Sequence, residues 1–234
     1  MTDIVCVNYG TKYPAEYTRR LYNMVRKHTT GQFKFYVLTD QLDAYPEEYI
    51  NIIPLEHDDE GWWHKLKLFN RGVLPDGEYL YLDLDVVIVD NIDCFFRHPS
   101  FGITRDFIRP NDGLLPGPEY NSSVLKFNNT TTQGIYDYYI QNKDTWKSYQ
   151  KQVHFFGDQN VISAYVNSYP SYLNIFPDEW LWSYKKGVDR GKTAGDRSRM
   201  FGRQIPAGGK ICVFHGSPNP MEVLDVDWVA ENFR

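Results

Sequence analysis

Apolar residues in the first part of the chain fall into short runs that alternate with a segment of helical periodicity. Residues 3–9, 33–39 and 49–55 have the length and composition of buried strands. Between the first two runs, residues 17–28 carry apolar side chains at helical spacing, which predicts an amphipathic helix. Strands that alternate with helices in this way predict an α/β domain with a largely parallel sheet.

The alternation continues through the middle of the chain and then becomes less regular. Residues 62–71 have a helix-like pattern, and residues 78–82 are a fourth predicted strand that ends at Asp83-Leu84-Asp85. The later predicted strands cover residues 120–127, 173–176 and 210–214, and the later predicted helices cover residues 131–142 and 158–166. Because ligands of such sheets bind at the carboxyl ends of the strands, the strand ends are where a site is expected.

Residues 184–210 differ in character from the rest of the chain. They contain eight Lys and Arg residues, two Asp residues and six glycines. We interpret this segment as a long basic loop, and loops of this length in compact domains are often functional lids. The alternative is an ordinary solvated surface segment.

Composition and charge exclude several classes of protein. With 234 residues, 42% hydrophobic and 24% charged, the chain is typical of a globular protein of one large domain or two small ones. The net charge of -5 argues against a nucleic-acid partner, and no apolar run approaches the ~20 residues that stable membrane insertion needs. Three well-separated cysteines and no recognisable signal peptide favour a cytoplasmic location. We expect a monomer or a dimer.

Two carboxylates follow the fourth predicted strand directly. Asp83 and Asp85 flank Leu84, and residues two apart in extended backbone face the same side. Such a pair repels itself unless a cation neutralises it, and a hard divalent ion such as Mg2+ or Mn2+ suits carboxylate ligands. The alternative interpretation of the two aspartates is a solvated turn.

The segment around this pair resembles a known family. Residues 64–96 read HKLKLFNRGVLPDGEYLYLDLDVVIVDNIDCFF and are similar to the core of the family 8, glycogenin-like glycosyltransferases. Three further segments resemble that family in the same order. Residues 120–125 are similar to its F-N-S-G-V stretch, residues 157–160 to its G-D-Q motif, and residues 214–220 to its late H-x-x-G-x-x-K-P motif.

The resemblance implies a fold and an activity. The implied GT-A fold is a single domain over residues 1–234, in which a Rossmann-like nucleotide-binding half with a mostly parallel central sheet (about 1–95) is fused to an acceptor-binding half (about 96–234). The implied activity is retaining transfer of a hexose from a nucleotide-sugar donor to a glycan or other hydroxyl acceptor, with Mn2+ or Mg2+. UDP-glucose and UDP-galactose are the favoured donors, and GDP-mannose is the alternative.

The resemblance also assigns roles by position. Asp83, Asp85 and His215 are implied metal ligands, and a histidine among them favours Mn2+. Asn121, Asp158 and Gln159 are implied to line the sugar site, with Asp158 nearest the reacting centre, and Lys65 is implied to contact the donor sugar or phosphate. Asp158, Lys65 and Gln159 are the implied catalytic residues. The implied donor-binding residues are Val7, Asn8, Tyr9, Tyr13, Asp83, Leu84, Asn121 and Gly216.

Several alternatives stay open at the level of the sequence. Lys67 competes with Lys65, Asp158 also suits a helix N-cap, and Tyr13 could pack in the core instead of stacking on a base. Trp62 and Trp63 are core candidates, and one of them could lie at the acceptor site. The late-motif lysine of the family is replaced here by Ser217 or Asn219. The competing functions are a metal-dependent phosphohydrolase and a non-catalytic module that binds nucleotide sugars or glycans.

Overall fold

The computed structural model describes residues 2–56, 59–107, 119–152, 155–186 and 204–234. The strands are β1 (Thr2–Asn8), β2 (Phe35–Thr39), β3 (Ile50–Pro54), β4 (Glu78–Leu82), β5 (Val86–Ile88), β6 (Gly102–Arg105), β7 (Tyr120–Asn128), β8 (Asn174–Ile175), β9 (Leu181–Ser183) and β10 (Ile211–Val213). The α-helices are α1 (Ala15–His28), α2 (Asp93–Arg97), α3 (Gln133–Gln141), α4 (Lys143–Ser148), α5 (Asp158–Ser168) and α6 (Asp227–Asn232).

Seven of these strands form one sheet in the order β3-β2-β1-β4-β7-β6-β8. Strands β1 to β4 pair in parallel, and β7 alone is antiparallel to its neighbours β4 and β6. The sheet is therefore mixed and mostly parallel, as the sequence predicts. It draws strands from both predicted halves, and the boundary between those halves stays a prediction.

Alternation along the central strands gives the sheet a hydrophobic core on each face. In β1, Ile4 and Cys6 belong to one core, while Val5 belongs to the other. Tyr79 and Tyr81 of β4 lie on the same face as Val5. Because successive side chains of a strand point to opposite faces, buried strands of this kind contain continuous apolar runs.

The strands β5, β10 and β9 form a second, three-stranded sheet. β10 pairs antiparallel with β5 and parallel with β9, so that Val213 lies opposite both Val86 and Ser183. This pairing brings the chain after β10 next to the aspartates that precede β5.

Residues 62–71, predicted as helix-like, form a 3₁₀ helix over Gly61–Phe69. With three residues per turn, Trp63, Leu66 and Phe69 share one face, and all three are fully buried. Shorter 3₁₀ helices cover Leu42–Ala44, Tyr149–Lys151, Pro170–Tyr172, Asp178–Trp180 and Pro220–Val223.

Most of the predicted basic lid, residues 187–203, lies outside the described residues. Among the described residues, no helix has both the length and the apolar character needed to span a membrane.

Candidate active site

A cavity of about 530 Å³ opens at the carboxyl ends of β1 and β4, where ligands bind in sheets of this kind. Its volume is in the range typical of small-molecule sites. Twelve of the residues assigned from the sequence line it: Val7, Tyr9, Tyr13, Lys65, Asp83, Leu84, Asp85, Asn121, Asp158, Gln159, His215 and Gly216. The sequence interpretation missed six others, namely Lys12, Gly61, Trp62, Tyr81, Ser122 and Ser123.

Asn8 is the assigned residue whose side chain the structure does not bring to the cavity. Val7 and Tyr9 face the cavity, so Asn8 between them points to the opposite face of the sheet. There its side-chain amide is buried and donates a hydrogen bond to the Tyr45 hydroxyl at 2.7 Å.

The buried ammonium of Lys65 lies at the centre of the site. Its Nζ is 3.1 Å from a carboxylate oxygen of Asp83 and 3.1 Å from one of Asp158. It also donates to the Ser122 hydroxyl at 3.1 Å and lies 5.0 Å from the centre of the Tyr81 ring. One cation thus joins the end of β4 to the first residue of α5.

Burial alone disfavours the charged form of Lys65, but the carboxylates of Asp158 and Asp83 outweigh that cost and raise its pKa. Lys65 is therefore charged at neutral pH. Lys67, the competing lysine, lies outside the lining of the cavity and donates to the backbone oxygen of Glu56 at 3.5 Å.

The 3₁₀ geometry of Gly61–Phe69 selects which side chains face the cavity. Residues three apart eclipse one another in a 3₁₀ helix, so Trp62 and Lys65 lie on one face. Both line the cavity, whereas Trp63, between them in sequence, packs in the core.

The Asp158 carboxylate is fixed by contacts with neighbouring side chains, and it does not cap the helix. It is the first residue of α5, whose N-cap position is Gly157 and has no side-chain cap. The Ser122 hydroxyl donates to Asp158 Oδ2 at 2.6 Å, and the same oxygen contacts Lys65. Burial raises the pKa of Asp158, and the Lys65 ammonium and the Ser122 hydroxyl offset part of that rise.

A short chain of amide hydrogen bonds lines the same side of the cavity. Asn121 Nδ2 donates to Gln159 Oε1 at 3.2 Å, and Gln159 Nε2 donates to Asp106 at 3.2 Å. The Asn121 side-chain oxygen accepts the backbone N–H of Ser123 at 3.0 Å. These bonds fix the orientation of two amides that the sequence assigned to the sugar site.

Asp85 occupies the other side of the cavity and is buried. The Tyr13 hydroxyl donates to its Oδ2 at 2.9 Å, and the Gly216 backbone N–H provides a further hydrogen bond. Burial and the neighbouring charge of Asp83 raise the pKa of Asp85. Within the described parts of the chain no Lys, Arg or His forms an ion pair with it, and the charge of Lys12 offsets only part of the rise in pKa.

Strand pairing brings the chain segment that contains His215 next to this aspartate. The antiparallel pairing of β10 with β5 continues beyond Val213, and the Phe214 N–H donates to the backbone oxygen of Asp85 at 3.2 Å. The His215 Nε2 lies 2.6 Å from the Ser183 hydroxyl. Burial and the nearby Lys185 lower the pKa of His215 to about 4, so the ring is neutral at pH 7.

In the portion of the chain that the structure describes, no group of three or more His, Cys, Asp or Glu side chains is arranged around a common metal position. The predicted trio instead makes other contacts: Asp83 with Lys65, Asp85 with Tyr13, and His215 with Ser183. The donor chemistry still suits a divalent cation, because Asp85 is a buried carboxylate beside a second one and His215 is a neutral imidazole.

The late motif, which lacks the family's lysine, has a lysine beside it from another segment. Lys185 donates to the backbone oxygen of His215 at 2.9 Å, and its Nζ lies 3.4 Å from the Cβ position of Gly216. Lys12 lines the cavity itself, and its Nζ lies 4.6 Å from the centre of the Tyr13 ring.

Some of the residues that the sequence interpretation missed carried a usable signal. Tyr81 precedes Asp83 by two positions in an extended strand, which places both on the same face. Ser122 and Ser123 lie opposite the end of β4, where the Asp83 N–H donates to the Ser123 backbone oxygen at 2.8 Å. Lys12 belongs to residues 7–13, for which the resemblance implies nucleoside binding, although the lysine itself was not singled out. The sequence allowed one of Trp62 and Trp63 at the acceptor site but did not distinguish which of them faces the cavity.

Neither a protein-family model nor a curated protein matches this sequence. Solved structures match its fold. The galactosyltransferase LgtC in complex with donor and acceptor sugar analogues is 14% identical, with a TM-score of 0.67 over 99% of this chain and 96% of that one. An active-site mutant of LgtC is 16% identical, with a TM-score of 0.70 over 99% and 94%.

A third match is the glycosyltransferase GlyE of Streptococcus pneumoniae TIGR4. It is 14% identical, with a TM-score of 0.64, and the match covers 100% of this chain and 62% of that one. The chain therefore has the GT-A fold of the galactosyltransferase LgtC, in agreement with the fold that its resemblance to family 8 implies.

Proposed function

We propose that the protein is a retaining glycosyltransferase that transfers a hexose from a nucleotide-sugar donor to a glycan or another hydroxyl acceptor. The observation that carries the proposal is the buried Lys65, which bridges Asp83 and Asp158 in the cavity of a GT-A fold. UDP-glucose and UDP-galactose are the favoured donors, with GDP-mannose as the alternative. The structural likeness to a galactosyltransferase supports a hexose donor.

The cavity offers distinct surroundings for the parts of such a donor. Val7, Tyr9 and Tyr13, at and beyond the end of β1, offer apolar and aromatic surface for the nucleoside. The fixed amides of Asn121 and Gln159 are hydrogen-bonding partners for sugar hydroxyls. Two lysines, Lys12 and Lys185, supply positive charge for the diphosphate in place of the family's late lysine.

We assign a divalent cation, Mn2+ or Mg2+, to Asp83 and Asp85 with His215. The burial of Asp85 beside a second carboxylate, Asp83, supports this assignment, because like charges at a buried position favour a bound cation. When bound, the cation would neutralise the diphosphate leaving group. The neutral imidazole of His215 favours Mn2+ over Mg2+.

Retention of configuration requires the acceptor to attack from the face that the diphosphate leaves, or else two successive displacements. We favour the first route. In it, the acceptor oxygen bonds to the anomeric carbon, the bond from that carbon to the phosphate oxygen breaks, and the acceptor proton passes to that oxygen. The ion pair of Asp158 with Lys65 supports an orienting role for Asp158, since a carboxylate held in this way is a poor nucleophile.

A donor panel tests the proposal. The protein is incubated with Mn2+, each of the three nucleotide sugars and a panel of saccharide and simple alcohol acceptors, with a chelator control. We expect release of a nucleoside diphosphate and, by NMR, a product with the anomeric configuration of the donor. Release of inorganic phosphate from the donor would instead indicate a phosphohydrolase, and binding without turnover would indicate a non-catalytic module.

A further inference from the structure

Trp62 presents a large aromatic surface that the proposed reaction does not use. The residue lines the cavity, yet 43% of its surface is exposed, whereas its neighbour Trp63 is fully buried. An exposed indole forgoes the free energy that burial of apolar area gives. An aromatic ring left open at a cavity that also contains convergent polar groups is typical of a ligand-binding face.

The indole ring is fixed in position by the segment that precedes Asp158. A Cβ atom on Gly157 would lie 2.1 Å from the indole Nε1, and the φ angle of Gly157 is +59°. Only glycine combines this backbone conformation with such a close approach of the ring. Trp63 supports the ring from another side, with the two ring centres 6.5 Å apart and the planes at 75°.

The Trp62 ring lies near the residues assigned to the sugar site. Trp62 lies one 3₁₀ turn before Lys65, on the same face of that helix. Lys65 binds Asp158, and Asp158 directly follows Gly157, against which the indole packs. Trp62 is therefore connected to Asp158, the residue assigned nearest the reacting centre, in two ways: through Lys65 on its own helix and through Gly157, on which the indole packs.

We propose that Trp62 is the platform on which a sugar ring of the acceptor stacks, and that the acceptor is therefore a saccharide. One face of a pyranose consists of C–H groups and packs on an aromatic face, while its hydroxyls stay free for hydrogen bonds and for reaction. A serine side chain or a simple alcohol has no such face. The transfer step rests on the proposed function, but the binding of a saccharide at Trp62 does not.

Saccharide binding is measured on the full chain with Trp62→Ala and Trp62→Phe, using lactose, cellobiose and N-acetylglucosaminides as probes and glycerol as the alcohol without a ring. Tyr169→Ala is the matched control, because Tyr169 is 51% exposed and lies outside the lining of the cavity. We expect Trp62→Ala to weaken saccharide binding on the order of tenfold, a typical cost for an aromatic anchor. Trp62→Phe should keep most of the saccharide affinity, because phenylalanine retains a flat aromatic face.

Transfer assays provide a second readout. With the donor at saturation, Trp62→Ala should raise the acceptor KM by a similar factor, and its effect on kcat should be smaller. Circular dichroism confirms that each variant is folded.

The outcomes separate the two proposals. Saccharide binding that depends on Trp62, without any transfer, would refute the proposed transferase activity but support saccharide binding at Trp62. Equal binding by Trp62→Ala and Tyr169→Ala, or no binding of any saccharide probe by the unaltered protein, would refute the platform. Faster transfer to glycerol than to every saccharide would refute it as well.

Discussion

Lys65 is the residue on which the geometry of the site depends most directly. Its ammonium separates Asp83 from Asp158, two buried or half-buried carboxylates that each lie 3.1 Å from it. Removal of one member of a buried charged group is costly, because the remaining charges stay buried without a partner.

The first prediction is that Lys65→Met lowers turnover at least about a hundredfold, because the cationic group of the site is lost. It should also lower the free energy of unfolding by about 3 kcal/mol. The measurements are steady-state kinetics and denaturant unfolding. Lys67→Met is the matched control, since Lys67 lies on the same 3₁₀ helix but outside the cavity lining. Equal losses of activity in both variants would argue against a specific role for Lys65.

Asp85 gives the second prediction, which concerns the cation. Asp85→Asn removes a charge with little change in volume, so the fold should persist. Turnover should fall by more than the roughly 10–100-fold that loss of a supporting hydrogen bond costs a metal site. The dependence of rate on Mn2+ concentration measures this. Asp90→Asn is the control, because Asp90 pairs with Lys210 at the surface. Unchanged activity of Asp85→Asn in the presence of a chelator would exclude the proposed cation site.

Asp158 gives the third prediction, which distinguishes the two routes to retention. If Asp158 only orients the sugar, Asp158→Asn should lower kcat strongly but not to zero, and donor affinity should change little. Mass spectrometry of the unaltered protein with a slow fluorinated donor should then show no covalent adduct. A glycosyl group on Asp158 would establish double displacement instead.

At the scale of elements, the turn before α5 positions both Asp158 and Trp62. Gly157 has a positive φ angle of +59° with a ψ angle of -115°, and its missing side chain leaves room for the indole ring. Its neighbour in the turn, Asp158, begins the helix. A change at this one position therefore displaces two groups of the site together.

The fourth prediction is that Gly157→Ala lowers both thermal stability and activity. The backbone conformation of Gly157 is sparsely populated by residues with a Cβ and costs them about 1–3 kcal/mol, and the clash with Trp62 adds to this cost. A thermal melt and the acceptor KM provide the readouts. Gly31→Ala is the control, because nothing lies within 4 Å of its Cβ position. Equal melting temperatures and equal acceptor KM values for the two variants would show that the packing of Trp62 on Gly157 does not affect function.

At the scale of the whole molecule, Asp59 connects the chain before the 3₁₀ helix to the helical layer of the second half. Its buried carboxylate accepts the Tyr139 hydroxyl of α3 at 2.7 Å and pairs with Lys143 and Lys147 of α4 at 3.0 and 2.8 Å. Burial opposes ionisation, but the bonds from Lys147 and Tyr139 outweigh it and lower the pKa of Asp59.

The fifth prediction follows from the sign of that shift. A carboxyl whose pKa is lower in the folded state stabilises the fold above its unfolded pKa, and this contribution is lost as pH falls through the folded value. Asp59→Asn should therefore cost about 3 kcal/mol at pH 7. The difference from the unaltered protein should shrink below the ordinary aspartate pKa of 3.8.

Melting temperatures measured between pH 2 and 7, roughly the range over which carboxyl groups titrate, test this prediction. The control is Asp178→Asn, because the pair of Asp178 with Arg105 is exposed and should be worth about 0–1 kcal/mol. A pH-independent difference for Asp59→Asn would show that the charge of Asp59 is not what stabilises this contact.

The sequence by itself determined most of the strands and the type of sheet, although the short strands β6 and β9 were not predicted. Apolar runs such as those of β1 and β2 are buried on both faces, and such runs are a local property of the sequence. The sequence also indicated that Asp83 and Asp85, which directly follow β4, face the same side, because residues two apart in extended backbone do so. The helix-like pattern over residues 62–71 predicted a helical element there, but periodicity alone did not distinguish a 3₁₀ from an α-helix.

The tertiary structure decided which of these residues meet. His215 lies beside Asp85 only because β10 pairs with β5 across more than a hundred residues of chain, and Asn8 faces away because of strand alternation. Lys65 rather than Lys67 reaches Asp158, and Trp62 rather than Trp63 reaches the cavity, because of the rotation of one short helix. Hydrophobic periodicity reports whether a side chain is buried, whereas its partner depends on contacts between segments far apart in sequence.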